Sequence, residues 1–265
     1  MTQATISHSL NTNLSHQITW EKLPDDFILP DDPVDNINQP TLAAALTDSL
    51  EIAGKLSDNT LTTTNYGICT RLNDKFVVKA PDWSYIANIS VPREEVIRSY
   101  TPHFQGDIPT IVMEFLSDTE GSEYSCKPTF PPGKWFFYEK ILQIPNYVIF
   151  EPNQGLIEFY QLNESGEYQL QLANEDGRYW ISQIDLYLGI WQGIREKRTG
   201  YWLRWWTAQG ELLLWGSELA NQEKQRAERE RQRAEQEHQR AEQEHQRAEK
   251  LAAFLREQGI DPETI

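Results

Sequence analysis

Residues 133–152 read GKWFFYEKILQIPNYVIFEP, and a change of period inside this stretch decides the fold class. Trp135, Tyr138, Ile141 and Leu142 recur at helical spacing, and Pro145 stops the helix. YVIFEP then forms a short apolar run of the kind found in buried strands. A second such run, TIVMEFLS, occupies 110–117, and the polar, Gly/Pro-containing residues 118–133 between the two predict a loop. Strand, helix and strand in succession place the chain in the α/β class.

Working outward toward the N-terminus, VVKAPDWSYI at 77–86 predicts a further strand or strand end. Strands are expected at 60–64, 66–72 and 75–79, the last two joined by a turn at Asn73-Asp74. Residues 39–54 predict a helix: Leu42, Ala45, Leu46, Leu50 and Ala53 share a face, and Gly54 is a stop signal. The prolines and acidic pairs of 20–35 suit an irregular lead-in. Residues 1–19 are polar and aperiodic, which predicts disorder. Toward the C-terminus, LIEFYQL and EYQLQLA predict a hairpin through Asn163–Gly166, and the Trp-rich residues 179–216 predict shorter strands and aromatic segments.

Past this point the composition changes. Ala227, Ala234, Ala241 and Ala248 recur every seven residues, and so do the opposite-charge pairs Glu230–Arg233, Glu237–Arg240 and Glu244–Arg247. The segment predicts a long charged helix. Only one apolar position per heptad is filled, by alanine, where a coiled-coil seam uses two, so a solvated single helix and an alanine-seamed stalk both fit. The expected organisation is a disordered segment over 1–19, an α/β domain over 20–217 and a charged helical tail over 218–265.

The 265 residues carry a formal charge of −16. Only −3 of this belongs to the tail, which has 9 basic and 12 acidic residues, so the domain itself is acidic. An acidic field is a poor match to a phosphate polymer, and any nucleic-acid role has to rest on a local site or a bound divalent cation. Two cysteines, Cys69 and Cys126, stand far apart without a ligand cluster, as expected of reduced thiols in a cytoplasmic protein. The N-terminus lacks an apolar signal-peptide core and no run reaches the length of a membrane span, so no membrane association is expected. Phosphate-loop, dinucleotide-binding, nucleophile-elbow and zinc-ligand spacings are missing from the sequence.

Three residues in ordered positions could carry chemistry. Asp82 follows Pro81 at a strand end, Glu114 is the one charge inside IVMEFL, and Lys134 opens the helix that carries Tyr138 one turn later. Strand alternation sets Glu114 on a face with Val112 and Leu116, opposite Met113 and Phe115. Each has a plain structural explanation when taken alone: a turn aspartate, a glutamate in an ion pair, an exposed lysine. Together they are a recognisable set. Two carboxylates on neighbouring strand ends can hold Mg²⁺ or Mn²⁺ through oxygen, leaving positions for water and a substrate phosphate. A nearby ammonium can orient the attacking water or offset charge in the transition state.

The segments VVKAPDWSYI, DIPTIVMEFLS and GKWFFYEKILQIPNYVIFEP resemble the Uma-two proteins, a family numerous in cyanobacteria and grouped with restriction endonucleases of the PD-(D/E)XK superfamily. The resemblance covers roughly residues 35–160. It implies a restriction-endonuclease-like fold, with a central mixed sheet flanked by helices and followed here by the long charged helix. It also implies a Mg²⁺- or Mn²⁺-dependent endonuclease acting on DNA. The catalytic set it implies is Asp82, Glu114 and Lys134, the two carboxylates as metal ligands and Tyr138 in support. The superfamily's lysine two residues after the glutamate is absent, since Leu116 stands there, and the resemblance implies that Lys134 takes its place. Lys140 is a second candidate, and Gln39 or Glu51 could stand for the superfamily's first-helix glutamate. A reading from a different class is a non-catalytic interaction protein on a nuclease scaffold, assembled as a homodimer or higher homo-oligomer through the tail. The tryptophans of WLRWW and GIWQG suit either a sugar-binding face or cross-strand aromatic pairs covering a sheet.

Overall fold

The computed structural model describes residues 6–10, 16–22, 24, 38–116 and 121–259. Two compact units divide the chain, Met1–Leu214 and Trp215–Ile265. Among the described residues the first is a mixed α/β fold with three sheets and few helices.

Its organising element is a six-stranded mixed sheet. Strands β3 (Leu61–Thr63), β6 (Trp83–Ile86), β7 (Ile111–Phe115), β8 (Asn146–Glu151), β9 (Leu156–Leu162) and β10 (Tyr168–Leu170) lie in the order β10-β9-β8-β7-β6-β3. Among the described strands of this sheet only β7 and β8 run parallel, with Glu114 opposite Ile149. A parallel pair needs a crossover, and the one here carries helix α2 (Lys134–Phe136). That helix runs directly into a π-helical turn, Phe137–Leu142. Gln143 ends the turn in the left-handed region, at φ +53°. The expected 118–133 loop contains a 3-10 turn at Ser122–Tyr124, while 117–120 lie outside the described residues.

Both faces of this sheet are covered. On one, Val112, Tyr147 and Ile149 pack with Phe137, Tyr138, Ile141 and Leu142 from the crossover. The same core takes in Ile18, Trp20, Ile68, Leu72 and Val77 from a four-stranded sheet in the order β1-β2-β4-β5. Those strands are β1 (Ile6–Leu10), β2 (His16–Trp20), β4 (Ile68–Leu72) and β5 (Lys75–Lys79). Asn73 and Asp74 join β4 to β5 with φ of +47° and +62°, the primed turn that matches strand twist.

The opposite face meets α1 (Asn38–Ile52). Trp83, which stands opposite Met113, donates its indole N–H to Thr47 Oγ1 at 3.0 Å. Trp205 donates to the Leu46 carbonyl at 3.1 Å, and its ring lies 5.9 Å from that of Trp83. Trp205 belongs to a third sheet, β11 (Tyr179–Ile181), β12 (Leu186–Arg195) and β13 (Arg198–Trp206). There the expected short strands are in fact a long hairpin, closed by a turn at Glu196-Lys197.

Within the segment 1–19 expected to be disordered, the described residues 6–10 and 16–19 lie in strands β1 and β2, which pair from Ile6↔Trp20 to Leu10↔His16. Backbone pairing tolerates a polar sequence, and Ile18 and Trp20, two residues apart, anchor one face. β2 also pairs with β4, Ile18 opposite Leu72. Most of the 20–35 lead-in lies outside the described residues.

The second unit holds α3, Gly216–Glu257, 42 residues without a break. The Glu218 carboxylate accepts the Trp215 N–H at 2.8 Å and closes its first turn. The repeating alanines are exposed, as are Leu251 and Phe254. Charges along the helix meet at i,i+4, as in Arg226–Glu230 at 3.2 Å. No helix among the described residues is long and apolar enough to cross a membrane.

Candidate active site

Glu114 occupies the middle of the six-stranded sheet and has no exposed surface. Alternation turns it toward the crossover, the same side as Val112. Lys134 and Tyr138 are four apart, so their side chains lie one above the other on that helical turn. Both reach the carboxylate. Lys134 Nζ donates to Glu114 Oε2 at 3.0 Å and Tyr138 OH donates to Oε1 at 2.9 Å.

Asp82 arrives from the other neighbour. Trp83 stands opposite Met113, so one step further along the ladder Asp82 stands opposite Glu114. Its Oδ2 accepts the Phe115 N–H at 2.5 Å where the β6 ladder ends. The Asp82 charge acts on Glu114, Lys134 and Tyr138. The four residues named from sequence therefore converge from the end of β6, from β7 and from the crossover turn.

The electrostatics follow from burial. Loss of water pushes the Glu114 carboxyl up to about 8; the Lys134 ammonium opposes that shift and Asp82 adds to it. Burial alone would lower Lys134, but the attraction of Glu114 and Asp82 outweighs it and its pKa is raised. Tyr138 is raised by burial and by the negative charge of Glu114, so its hydroxyl stays a donor.

Lys140 is turned elsewhere. It donates to the Gly166 carbonyl at 2.8 Å and pairs with Glu139 at 3.3 Å, under the β9–β10 hairpin. Glu51 is exposed and lines a separate cleft of about 620 Å³ with Asp58, Arg93 and Glu94, none of which belongs to the Glu114 cluster. Gln39 is different. It is buried at the start of α1 and donates Nε2 to the Phe115 carbonyl at 3.0 Å, beside Glu114 but on the opposite face. Cys69 is a buried free thiol whose pKa burial raises to about 12, and Cys126 is exposed and free. Neither sits with the cluster.

Sequence reasoning passed over Glu123. It lies in a Gly/Ser-containing loop that reads as solvated, yet it is buried, and its charge reaches Lys134. Nothing in the local sequence marks it.

The family model Uma2, described as "Putative restriction endonuclease", matches residues 23–195. The chain belongs to the Uma2 family. The match takes in all four clustered residues and β3 to β12. No curated protein and no solved structure matches the chain. Membership gives the nuclease association at family level.

The donor set suits a hard cation. Two carboxylates are within the range for Mg²⁺, which commonly takes one or two and fills its remaining positions with water and phosphate oxygens. Among the described residues no three of His, Cys, Asp and Glu could hold a metal ion together.

Proposed function

We propose that this chain is a Mg²⁺- or Mn²⁺-dependent endonuclease that hydrolyses DNA phosphodiester bonds, with Asp82 and Glu114 as the metal ligands. The observation that carries the reading is the fully buried Glu114 carboxylate, paired with Lys134 and flanked by Asp82. A buried ion pair adds little stability compared with well-packed apolar side chains of the same volume. Three ionisable groups drawn together at a strand end are therefore better explained by chemistry than by folding.

The chain's own residues have distinct parts. Asp82 is held in place by the Phe115 N–H. Glu114 is oriented by Tyr138, which donates to one oxygen. Lys134 brings a positive charge to a protein of net charge −16 and would offset the charge that develops on a bound phosphate in the transition state. A divalent cation bound there supplies Lewis-acid polarisation of the phosphate and a more acidic water. Gln39, bonded to the Phe115 carbonyl, steadies the backbone next to Glu114 from the far face.

The test is nicking of supercoiled plasmid in Mg²⁺ or Mn²⁺ by the wild type, Asp82→Asn and Lys134→Met. Metal-dependent nicking lost in both variants supports the reading; equal nicking by all three refutes it. A second reading, a non-catalytic assembly protein on this scaffold, is favoured by one feature: both Glu114 oxygens already have protein partners.

A further inference from the structure

Glu123 is a second buried acidic side chain whose charge acts on Lys134. It is 4% exposed, and its Oε2 is buried with no hydrogen-bond partner among the described residues. Oε1 takes a long bond from Ser122 Oγ, at 3.3 Å. Buried carboxylate oxygens are nearly always satisfied, because the lost hydration has to be replaced.

The position of Glu123 is enforced from two sides. Tyr147 of β8 donates its hydroxyl to the Glu123 carbonyl at 2.9 Å. The following residues are fastened to the start of α2: Gly133 N–H donates to the Lys127 carbonyl at 2.9 Å and Phe136 N–H to the Ser125 carbonyl at 3.4 Å. The approach is so close that a Cβ on Gly133 would fall 1.9 Å from the Ser125 oxygen. Fixing this turn against α2 sets Glu123 beside the residue that opens the helix, Lys134, whose ammonium feels its charge.

In this structure Lys134 is bonded to Glu114. A divalent cation arriving at Glu114 needs the oxygen that Lys134 holds, and two cations on one carboxylate repel. Lys134 has a flexible four-carbon stem and three donors, so it can turn to another acceptor. We propose that Glu123 is a positioning residue whose unpartnered oxygen receives the Lys134 ammonium when a divalent cation takes its place on Glu114. This rests on the metal-ligand reading of Asp82 and Glu114. It explains why a costly unpaired oxygen is kept beside the site, and why the ammonium stays close instead of being expelled to solvent.

The experiment is calorimetric titration of the full chain with Mn²⁺, for wild type and Glu123→Gln, each with Lys134 intact and with Lys134→Met. Near-ultraviolet dichroism checks that every variant is folded. With Lys134 present, Glu123→Gln is expected to weaken Mn²⁺ binding by about tenfold, and with Lys134→Met by no more than about twofold, a coupling that identifies a shared partner. An acidic residue acting only through its general field would weaken binding equally in both backgrounds, and that result overturns the proposal. Glu123→Asp, which keeps the charge and shortens the reach, is expected to fall between wild type and Glu123→Gln, and it decides the matter where the glutamine variant fails to fold. No Mn²⁺ binding by the wild type would overturn the metal reading itself. Binding that Glu123 does not influence would overturn only this proposal.

Discussion

Replacing Glu114 with Gln should make the protein more stable, and by an amount that depends on pH. Folding raises the Glu114 carboxyl from an ordinary 4.5 to about 8, chiefly by burial. For an acid raised in the folded state, its stabilising contribution is complete below pH 4.5 and is lost as pH climbs through 8. In that window the folded chain holds a proton that the unfolded chain has released. A shift of that size corresponds to stability on the order of 5 kcal/mol lost across the window, at up to about 1.4 kcal/mol per pH unit. Gln stays neutral throughout and can still accept from Tyr138, but it gives up the attraction to Lys134. The net gain at pH 8 should therefore be roughly 1–5 kcal/mol, against almost none near pH 5. Urea unfolding of both proteins at half-unit steps from pH 5 to 8, with metal chelated, gives the difference curve, in which titrating groups away from the cluster cancel. A difference that stays flat over this range would refute the account of Glu114 as a carboxylate strained by burial.

Three further outcomes follow from particular contacts. Tyr138→Phe removes a donor from a buried carboxylate; it should cost about 1.5–3 kcal/mol at pH 9 and distinctly less at pH 5, by the same unfolding assay. Gly133→Ala puts a methyl group into the Ser125 backbone; thermal unfolding should show a loss of about 1–3 kcal/mol, and an unchanged midpoint would mean that the 122–127 turn is not fixed against α2. The exposed alanine repeat of α3 is proposed as an assembly seam. Light scattering should then give an oligomer for the full chain and a monomer for a chain ending at Ser217, and the same number of chains per assembly in both would remove the tail from that role.

Much of this arrangement could be read from sequence because the signals were local. Glu114 is the single charge in an apolar strand, and a carboxylate there demands a partner. Lys134 and Tyr138, four apart on a predicted helix, were one turn from sharing it. The α1 helix and the β4–β5 turn at Asn73-Asp74 were equally local. What was missed depended on distant contacts or on silent residue choices. Glu196 and Lys197 make a turn at φ +51° and +64°, where Asn or Gly would have announced it. With Gly189, Gly193 and Gly200 also interrupting the pattern, β12 and β13 read as shorter than they are. β1 and β2 lack apolar alternation over most of their length, and pairing between backbones leaves no trace in composition. Glu123 is buried by Tyr147 and by the packing of its turn on Gly133, neither of them predictable from GSEYS.

The central claim is that Asp82 and Glu114 share one divalent cation. Electron paramagnetic resonance of Mn²⁺ titrated into the wild type, Asp82→Asn and Glu114→Gln counts bound ions directly. One ion per wild-type chain, lost in both variants, is the predicted result; an ion count that survives either substitution, or no bound ion in the wild type, would contradict it.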